Sequence, residues 1–277
     1  FDVRIANLAA RMVRSERFNP DRMIRRADAR AYAIDLHWLP HAHGALEVAR
    51  RVKAYHPGAP VILGGYSATY YHEELVQRPA VDYVLRGDSA EAPLARLMAH
   101  VVAGTEPVDV PNLTWVSSDG EVRANPLTYV PDSLDHLKLD YREVVRSVVR
   151  NRDLQNYVPF SHWLEYPIMA SLTVKGCTQN CTICGGSAFA ARHLSNRSQP
   201  AYRSPELLAR DVRRLGAMSR GPVFLLGDLR QAGLSYARRF FRAVQGYEGP
   251  VIVEFFGPVD RAYMEEFAAA LPNFFVE

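Results

Sequence analysis

The sequence predicts an α/β protein, and three observations carry that reading. Short apolar runs alternate with amphipathic stretches over residues 1–110. The same alternation resumes near Ile168 and continues to Glu277. Between the two blocks the periodicity lapses into a proline- and charge-rich stretch. Strand-helix alternation of this kind marks a parallel sheet with crossover helices. With 277 residues, 48% of them hydrophobic, the chain suffices for two cores.

The first block opens on Asp2-Val3-Arg4-Ile5-Ala6, which reads as a strand. Ala31-Tyr32-Ala33-Ile34-Asp35-Leu36 is the next strand, followed by a helix with Ala45, Val48, Ala49 and Val52 on one face. Pro60-Val61-Ile62-Leu63 is a strand ending at Gly64-Gly65. Val81-Asp82-Tyr83-Val84-Leu85 is another and ends at Arg86-Gly87-Asp88. Behind it Leu94, Leu97, Met98, Val101 and Val102 form an apolar helical stripe. The pattern then changes. Leu113-Thr114-Trp115-Val116 and Glu121-Val122-Arg123 flank Ser117-Ser118-Asp119-Gly120, a hairpin with a glycine-bearing turn. Residues 125–166 read as an interdomain connection. The boundaries expected are 1–110, 111–165 and 166–277.

In the second block, Ile168 to Val174 is a strand running directly into the cysteine segment. Ser204-Pro205-Glu206 opens a helix, with Ser204 as N-cap and Pro205 at the first helical position. Leu208, Val212 and Leu215 form its buried face. Val223 to Leu226 is a strand ending at Gly227-Asp228, and Leu234, Ala237, Phe241 and Val244 mark a helix. Val251 to Phe256 is a strand, Met264, Phe267, Ala268 and Leu271 mark a helix, and Phe274 to Glu277 starts a further strand. This repetition suggests a barrel-like parallel sheet with chemistry at the carboxyl ends of its strands.

Composition narrows the function classes. The net charge of +3 demands no polyanionic partner, and no basic run interleaved with aromatics suggests a nucleic-acid groove. The longest apolar stretches are too short for a transmembrane segment, and no secretory signal is visible. Exposed thiols fit the reducing cytoplasm. Both chain ends, Phe1 and Glu277, look cut, so the chain reads as a piece of a longer protein.

All three cysteines lie in Cys177-Thr178-Gln179-Asn180-Cys181-Thr182-Ile183-Cys184. Three clustered thiolates without a fourth can hold three irons of a 4Fe-4S cluster and leave the fourth iron open for a ligand, whereas electron-transfer clusters use four. A zinc site is the alternative, with His193 completing a Cys3His set, although the usual second knuckle is missing. The odd count and tight spacing disfavour disulfides.

At this motif the sequence resembles the radical S-adenosylmethionine (SAM) enzymes. The likeness covers about residues 166–277 and implies a partial (β/α) barrel, incomplete at its end. The amino-terminal half resembles the cobalamin-binding domain fused to one large class of these enzymes. That likeness runs through Gly64-Gly65-Tyr66-Ser67-Ala68-Thr69, Glu73-Glu74-Leu75 and Asp82 to Asp88, then Leu113-Thr114-Trp115 and Asn125-Pro126. It implies a Rossmann-like domain, incomplete at its start, with the first strand upstream of Phe1. Paired glycines at a strand end admit a bulky ligand, and the amides of the following helix favour the cobalamin phosphate.

The resemblance implies a site residue by residue. Cys177, Cys181 and Cys184 hold the cluster. Ile183 stands where the family usually has an aromatic residue against the adenine of SAM. Gly185 and Gly186 let the chain wrap the cluster, and Gly227 with Asp228 meets the methionine end of SAM, the alternative for Asp228 being an N-cap before the helix at Leu234. Glu254 either points into the barrel or meets Arg230 or Arg261. Gly64, Gly65, Ser67, Thr69, Arg86, Gly87 and Asp88 face cobalamin, as do His37 and Trp38. Some corrinoid proteins take a lower-axial histidine from an Asp-x-His-x-x-Gly loop. Here Asp35-Leu36-His37-Trp38-Leu39-Pro40 ends in proline and follows a later strand, which disfavours His37 as that ligand. His37, His41 and His43 fit a solvated loop better than a metal site.

The activity implied is reductive cleavage of SAM to a 5′-deoxyadenosyl radical that activates a C–H bond, with methyl transfer from methylcobalamin. Implied with it are a flavodoxin or ferredoxin reductant and a small-molecule or lipid substrate that the sequence does not identify. Two alternatives stay open: a radical SAM enzyme without functional cobalamin, and a non-catalytic iron-sulfur or zinc-binding protein.

Overall fold

A computed structural model describes residues 2–138, 141–154, 158 and 162–277, with Tyr141 described for its backbone alone. In chain order the elements are α1 (Leu8–Arg14), α2 (Pro20–Arg26), β1 (Tyr32–Asp35), α3 (Ala42–Tyr55), β2 (Val61–Gly64), α4 (Tyr66–Tyr70) and α5 (His72–Val76). Then come β3 (Tyr83–Leu85), α6 (Glu91–Ala103), β4 (Leu113–Val116), β5 (Val122–Ala124), α7 (Tyr141–Asn151), β6 (Met169–Ser171) and β7 (Val174–Lys175). The last are α8 (Ala188–Ser195), β8 (Ala201–Tyr202), α9 (Pro205–Met218), β9 (Val223–Leu225), α10 (Leu234–Val244), β10 (Val251–Val253), α11 (Arg261–Ala270) and β11 (Phe274–Val276).

The chain divides into two compact units. One comprises Asn19–Pro131 with Gly176–Gln199, and the other Phe1–Phe18, Asp132–Lys175 and Pro200–Glu277. These units cut the chain differently from the sequence boundaries at 110 and 165, because the cysteine segment groups with the amino-terminal sheet.

The sheet of the first unit has the order β1-β2-β3-β4-β5. β1, β2 and β3 are parallel, with Tyr32 opposite Val61 and Ile62 opposite Tyr83. β4 pairs antiparallel with β3 and with β5, so the hairpin extends this sheet instead of standing in a linker. Ile62, Leu85, Leu97, Leu113 and Trp115 form a core, with Leu94, Met98 and Val101 of α6 packed on it. Val102, the last member of the expected stripe, is exposed because it lies round the helix from that face.

The second unit is a parallel sheet of order β11-β10-β9-β6. Val223 pairs with both Met169 and Val251, and Val251 pairs with Phe274. Leu208, Val212 and Leu215 of α9, Phe240 and Phe241 of α10, and Phe267 of α11 bury Val223, Leu225, Val251 and Val253. The apolar periodicity placed these helices correctly, apart from Leu234, which is exposed at the first turn of α10.

Four local expectations are corrected. Residues 2–6 form no strand; Val3 and Ile5 are exposed, with no neighbouring strand to pair their backbone. The run from Ile168 to Val174 breaks into β6 and β7, and β7 leaves the sheet to pair antiparallel with β8. Ser204 precedes α9 but makes no side-chain cap; its N–H goes to Asp135 Oδ1 at 2.7 Å. The stretch 125–166 contains α7, although residues 139–140, 155–157 and 159–161 lie outside the described residues.

Candidate cofactor-binding site

In the first unit, β1, β2 and β3 end side by side, the edge at which open α/β sheets take ligands. His37 follows β1, and its ring centroid lies 4.8 Å from Trp38 and 4.8 Å from Tyr66. Trp38 is 60% exposed. The three rings form an aromatic rim that has open face on the Trp38 side, suited to a planar apolar ligand.

The double glycine works mainly on the protein itself. Gly65 has φ +105°, and a Cβ there would stand 2.8 Å from the Leu36 carbonyl and the His37 nitrogen. Only glycine permits that approach. With the backbones so close, the Ser67 and Ala68 N–H groups donate to the His37 and Leu36 carbonyls at 3.2 Å each. Those two amides are therefore taken, which corrects the expectation that they cradle a phosphate. Ser67 Oγ also donates to the His37 carbonyl at 3.0 Å. Thr69 Oγ1 donates to the Gly65 carbonyl and accepts the Gly87 N–H, both at 2.9 Å. Ser67 and Thr69 thus brace the crevice from within.

The Arg-Gly-Asp segment ends β3. Arg86 donates a guanidinium N–H to the Asn125 carbonyl, while its buried Nε has no hydrogen-bond partner. Burial pulls the Arg86 pKa below its ordinary value, with Glu73 opposing. An incompletely partnered guanidinium at a strand end fits a ligand oxygen. Asp88 faces inward instead: its Oδ2 accepts from Arg197 Nε at 2.5 Å and its Oδ1 from Arg197 Nη2 at 3.0 Å. The pair is buried, 5% and 2% exposed, so Asp88 is corrected from a cobalamin contact to an internal ion-pair partner.

The cysteine segment lies in the same unit. None of the three cysteines is in a disulfide, and Cys181 and Cys184 are exposed. Its fold is held by backbone: Cys184 N–H donates to the Cys181 carbonyl at 3.2 Å, and Ala188 N–H to the Gln179 carbonyl at 2.8 Å. The Gln179 N–H points at Cys177 Sγ at 3.3 Å. Ser187 caps α8 by accepting the Ala190 N–H at 3.2 Å. Ile183 is 99% exposed at the loop tip. A side chain at Gly185 would meet nothing within 4 Å, and one at Gly186 would meet Cys184 Sγ at 3.8 Å, so both leave the sulfurs accessible. Among the described residues no three His, Cys, Asp or Glu side chains are gathered as a metal set. The donor chemistry nevertheless fits an iron-sulfur cluster: three soft sulfurs on one open loop, with a backbone N–H directed at one of them. His193 Nδ1 donates to the Phe189 carbonyl, 2.9 Å away, and the ring stacks on that of Phe189 at 3.9 Å.

Tyr66 links the two halves of this unit. α4, which it opens, packs against α8. Burial first, and then the charge of Asp88, push the Tyr66 pKa up; Arg197 opposes and Cys184 adds to the rise. Neither Tyr66 nor Arg197 stands out from the sequence, since only contacts reveal them.

In the second unit, Gly227 and Asp228 follow β9. Gly227 has φ +88°, and a Cβ there would stand 2.8 Å from Val174 Cγ1. Its N–H donates to Glu254 Oε2 at 2.5 Å. Asp228, expected to be open to the SAM ammonium, has both oxygens engaged. They accept from the Arg230 N–H at 2.9 Å, from the Arg230 guanidinium at 2.6 and 3.0 Å, and from the Phe256 N–H at 3.0 Å. Asp228 therefore caps the short turn Leu229–Ala232, and Glu254 is engaged by the Gly227 N–H.

Residues 1–97 match the B12 binding domain family. By fold it is similar to TsrM from Kitasatospora setae, a radical SAM methyltransferase solved with tryptophan substrate and the SAM analogue aza-SAM. The TM-score is 0.64 at 13% identity, over 90% of this chain and 48% of TsrM. It is also similar to OxsB, a cobalamin-dependent SAM radical enzyme solved with aqua-cobalamin and SAM, with TM-score 0.63 at 11% identity, over 92% of this chain and 36% of OxsB. The fold is that of the cobalamin-dependent radical SAM enzymes, as the sequence resemblance implied. The chain spans about half of TsrM and about a third of OxsB. No curated protein matches it by sequence. Among the described residues no helix is long and apolar enough to cross a membrane.

Proposed function

We propose that this chain belongs to a cobalamin-dependent radical SAM enzyme whose B12-binding domain carries the cluster loop packed on it. One observation supports this reading above the others: Gly176–Gln199, with all three cysteines, forms one compact unit with Asn19–Pro131. When bound, the cluster supplies the electron that cleaves SAM, and the corrinoid supplies the methyl group for an activated carbon.

The protein's part is placement and exclusion of water. Cys177, Cys181 and Cys184 would hold the cluster by three thiolates, and with no fourth cysteine in the chain SAM could be its further ligand. Ile183 offers the adenine an apolar surface. His37, Trp38 and Arg86 hold the corrinoid, Gly64 and Gly87 leave it room, and Gly65, Ser67 and Thr69 stiffen the wall behind it.

We further propose a flavodoxin or ferredoxin reductant, a small-molecule or lipid substrate, and a cytoplasmic setting.

Anaerobic reconstitution with iron, sulfide and hydroxocobalamin tests the reading. The expected product holds four irons per chain and one corrinoid, and forms 5′-deoxyadenosine from SAM under reduction. Protein that binds zinc in preference, or whose cluster spectrum is unmoved by SAM, defeats it.

A further inference from the structure

Asp88 and Arg197 are 109 residues apart in sequence and form a two-point fork between nearly inaccessible side chains. Arg197 is otherwise fully used. Its Nη1 donates to the Pro131 carbonyl at 2.9 Å, and its N–H to the Ala191 carbonyl at 3.1 Å. The neighbouring Asn196 ends α8 with φ +51° and donates to the Leu127 carbonyl at 3.1 Å. At the other end of α8, Ser187 lies three residues beyond Cys184, and the Phe189 N–H donates to Asn180 Oδ1 at 3.0 Å. The cysteine loop is thus folded onto the first turn of a rigid helix about 12 Å long, and the far end of that helix is locked to the Arg-Gly-Asp turn. That turn is itself held by Thr69 through the Gly87 N–H.

We propose that Asp88 and Arg197 are a positioning pair that clamps the cysteine loop at a set place over the carboxyl edge of the β1-β2-β3 sheet. A buried ion pair adds little net stability compared with apolar packing, so its value lies in geometry. The guanidinium fork fixes direction as well as distance, which an ammonium does not. Resting on the function proposed above, the clamp sets the spacing between cluster and corrinoid.

Two arms test this. In the chain without cofactors, hydrogen exchange is compared between wild type and Arg197→Lys. The clamp predicts about tenfold faster exchange over residues 176–195, with β1, β2 and β3 unchanged; equal exchange overturns it. In protein loaded with cluster and cob(II)alamin, the reduced cluster broadens and speeds relaxation of the cobalt electron-spin signal. Arg197→Lys is expected to keep iron, sulfide and corrinoid content while losing that effect, and the exchange Asp88→Arg with Arg197→Asp is expected to restore it. An undiminished effect in Arg197→Lys overturns the spacing role. Wild type that takes up neither group overturns the functional reading and the spacing role together, and hydrogen exchange still decides the clamp.

Discussion

The Thr69 hydroxyl accepts the Gly87 N–H at 2.9 Å and donates to the Gly65 carbonyl at the same distance. One side chain thereby ties the end of β2 to the end of β3. Thr69 is buried, so its hydroxyl meets the Gly87 amide out of reach of bulk water on the Thr69 side. Thr69→Val keeps the shape and removes the acceptor. It is expected to cost about 1–3 kcal/mol in urea unfolding and to weaken corrinoid binding in a spectrophotometric titration, whereas Thr69→Ser retains both.

Gly65→Ala places a methyl group against the Leu36 and His37 backbone at a φ that alanine rarely adopts. The expected loss is about 1–3 kcal/mol or more, read as a lower urea midpoint. Gly185→Ala, which meets open space, is the control and is expected to leave stability within about 0.5 kcal/mol.

His72 carries a pH dependence. Its Nδ1 lies 3.0 Å from Thr114 Oγ1, and burial first, then Arg86, lower its pKa from the ordinary 6.5. A histidine with a depressed folded pKa stabilises the fold above its unfolded pKa. That contribution is lost as pH falls from 6.5 through the folded value. The urea midpoint of wild type is expected to drop on acidification from about pH 7.5 to about pH 5.5. His72→Gln is expected to flatten the part of that drop that His72 causes.

Arg203 and Asp211 form a second buried pair, with Nε to Oδ2 at 2.5 Å, and Arg203 also holds the Leu134 and Leu137 carbonyls at 2.7 and 3.0 Å. Asp211→Ala leaves a guanidinium buried without its counter-charge and is expected to cost about 3–5 kcal/mol. The double variant Arg203→Met with Asp211→Leu is expected to recover part of that loss in thermal unfolding.

Strands and helices were legible wherever the periodic apolar pattern is local. The faces Leu208-Val212-Leu215 and Leu94-Leu97-Met98 follow from helical spacing alone. The three-cysteine spacing and the double glycine were visible for the same reason, since each is a contiguous motif. The helix α7 was not, because it lies in a proline- and charge-rich stretch whose overall character masks its short apolar pattern.

What the sequence by itself determined is the set of elements and the chemistry of the donor groups: three thiolates on one loop, an aromatic pair after β1, and glycines at strand ends. Which polar groups remain available was decided only by the tertiary structure. Asp88 and Asp228 look alike in sequence, each a carboxylate after a strand-ending glycine, yet one is closed by Arg197 and the other by Arg230. The reason is physical. A carboxylate removed from water must find a cation and donors; Asp228 finds its arginine two residues on, whereas the one that reaches Asp88 is 109 residues away, a separation that no local pattern encodes.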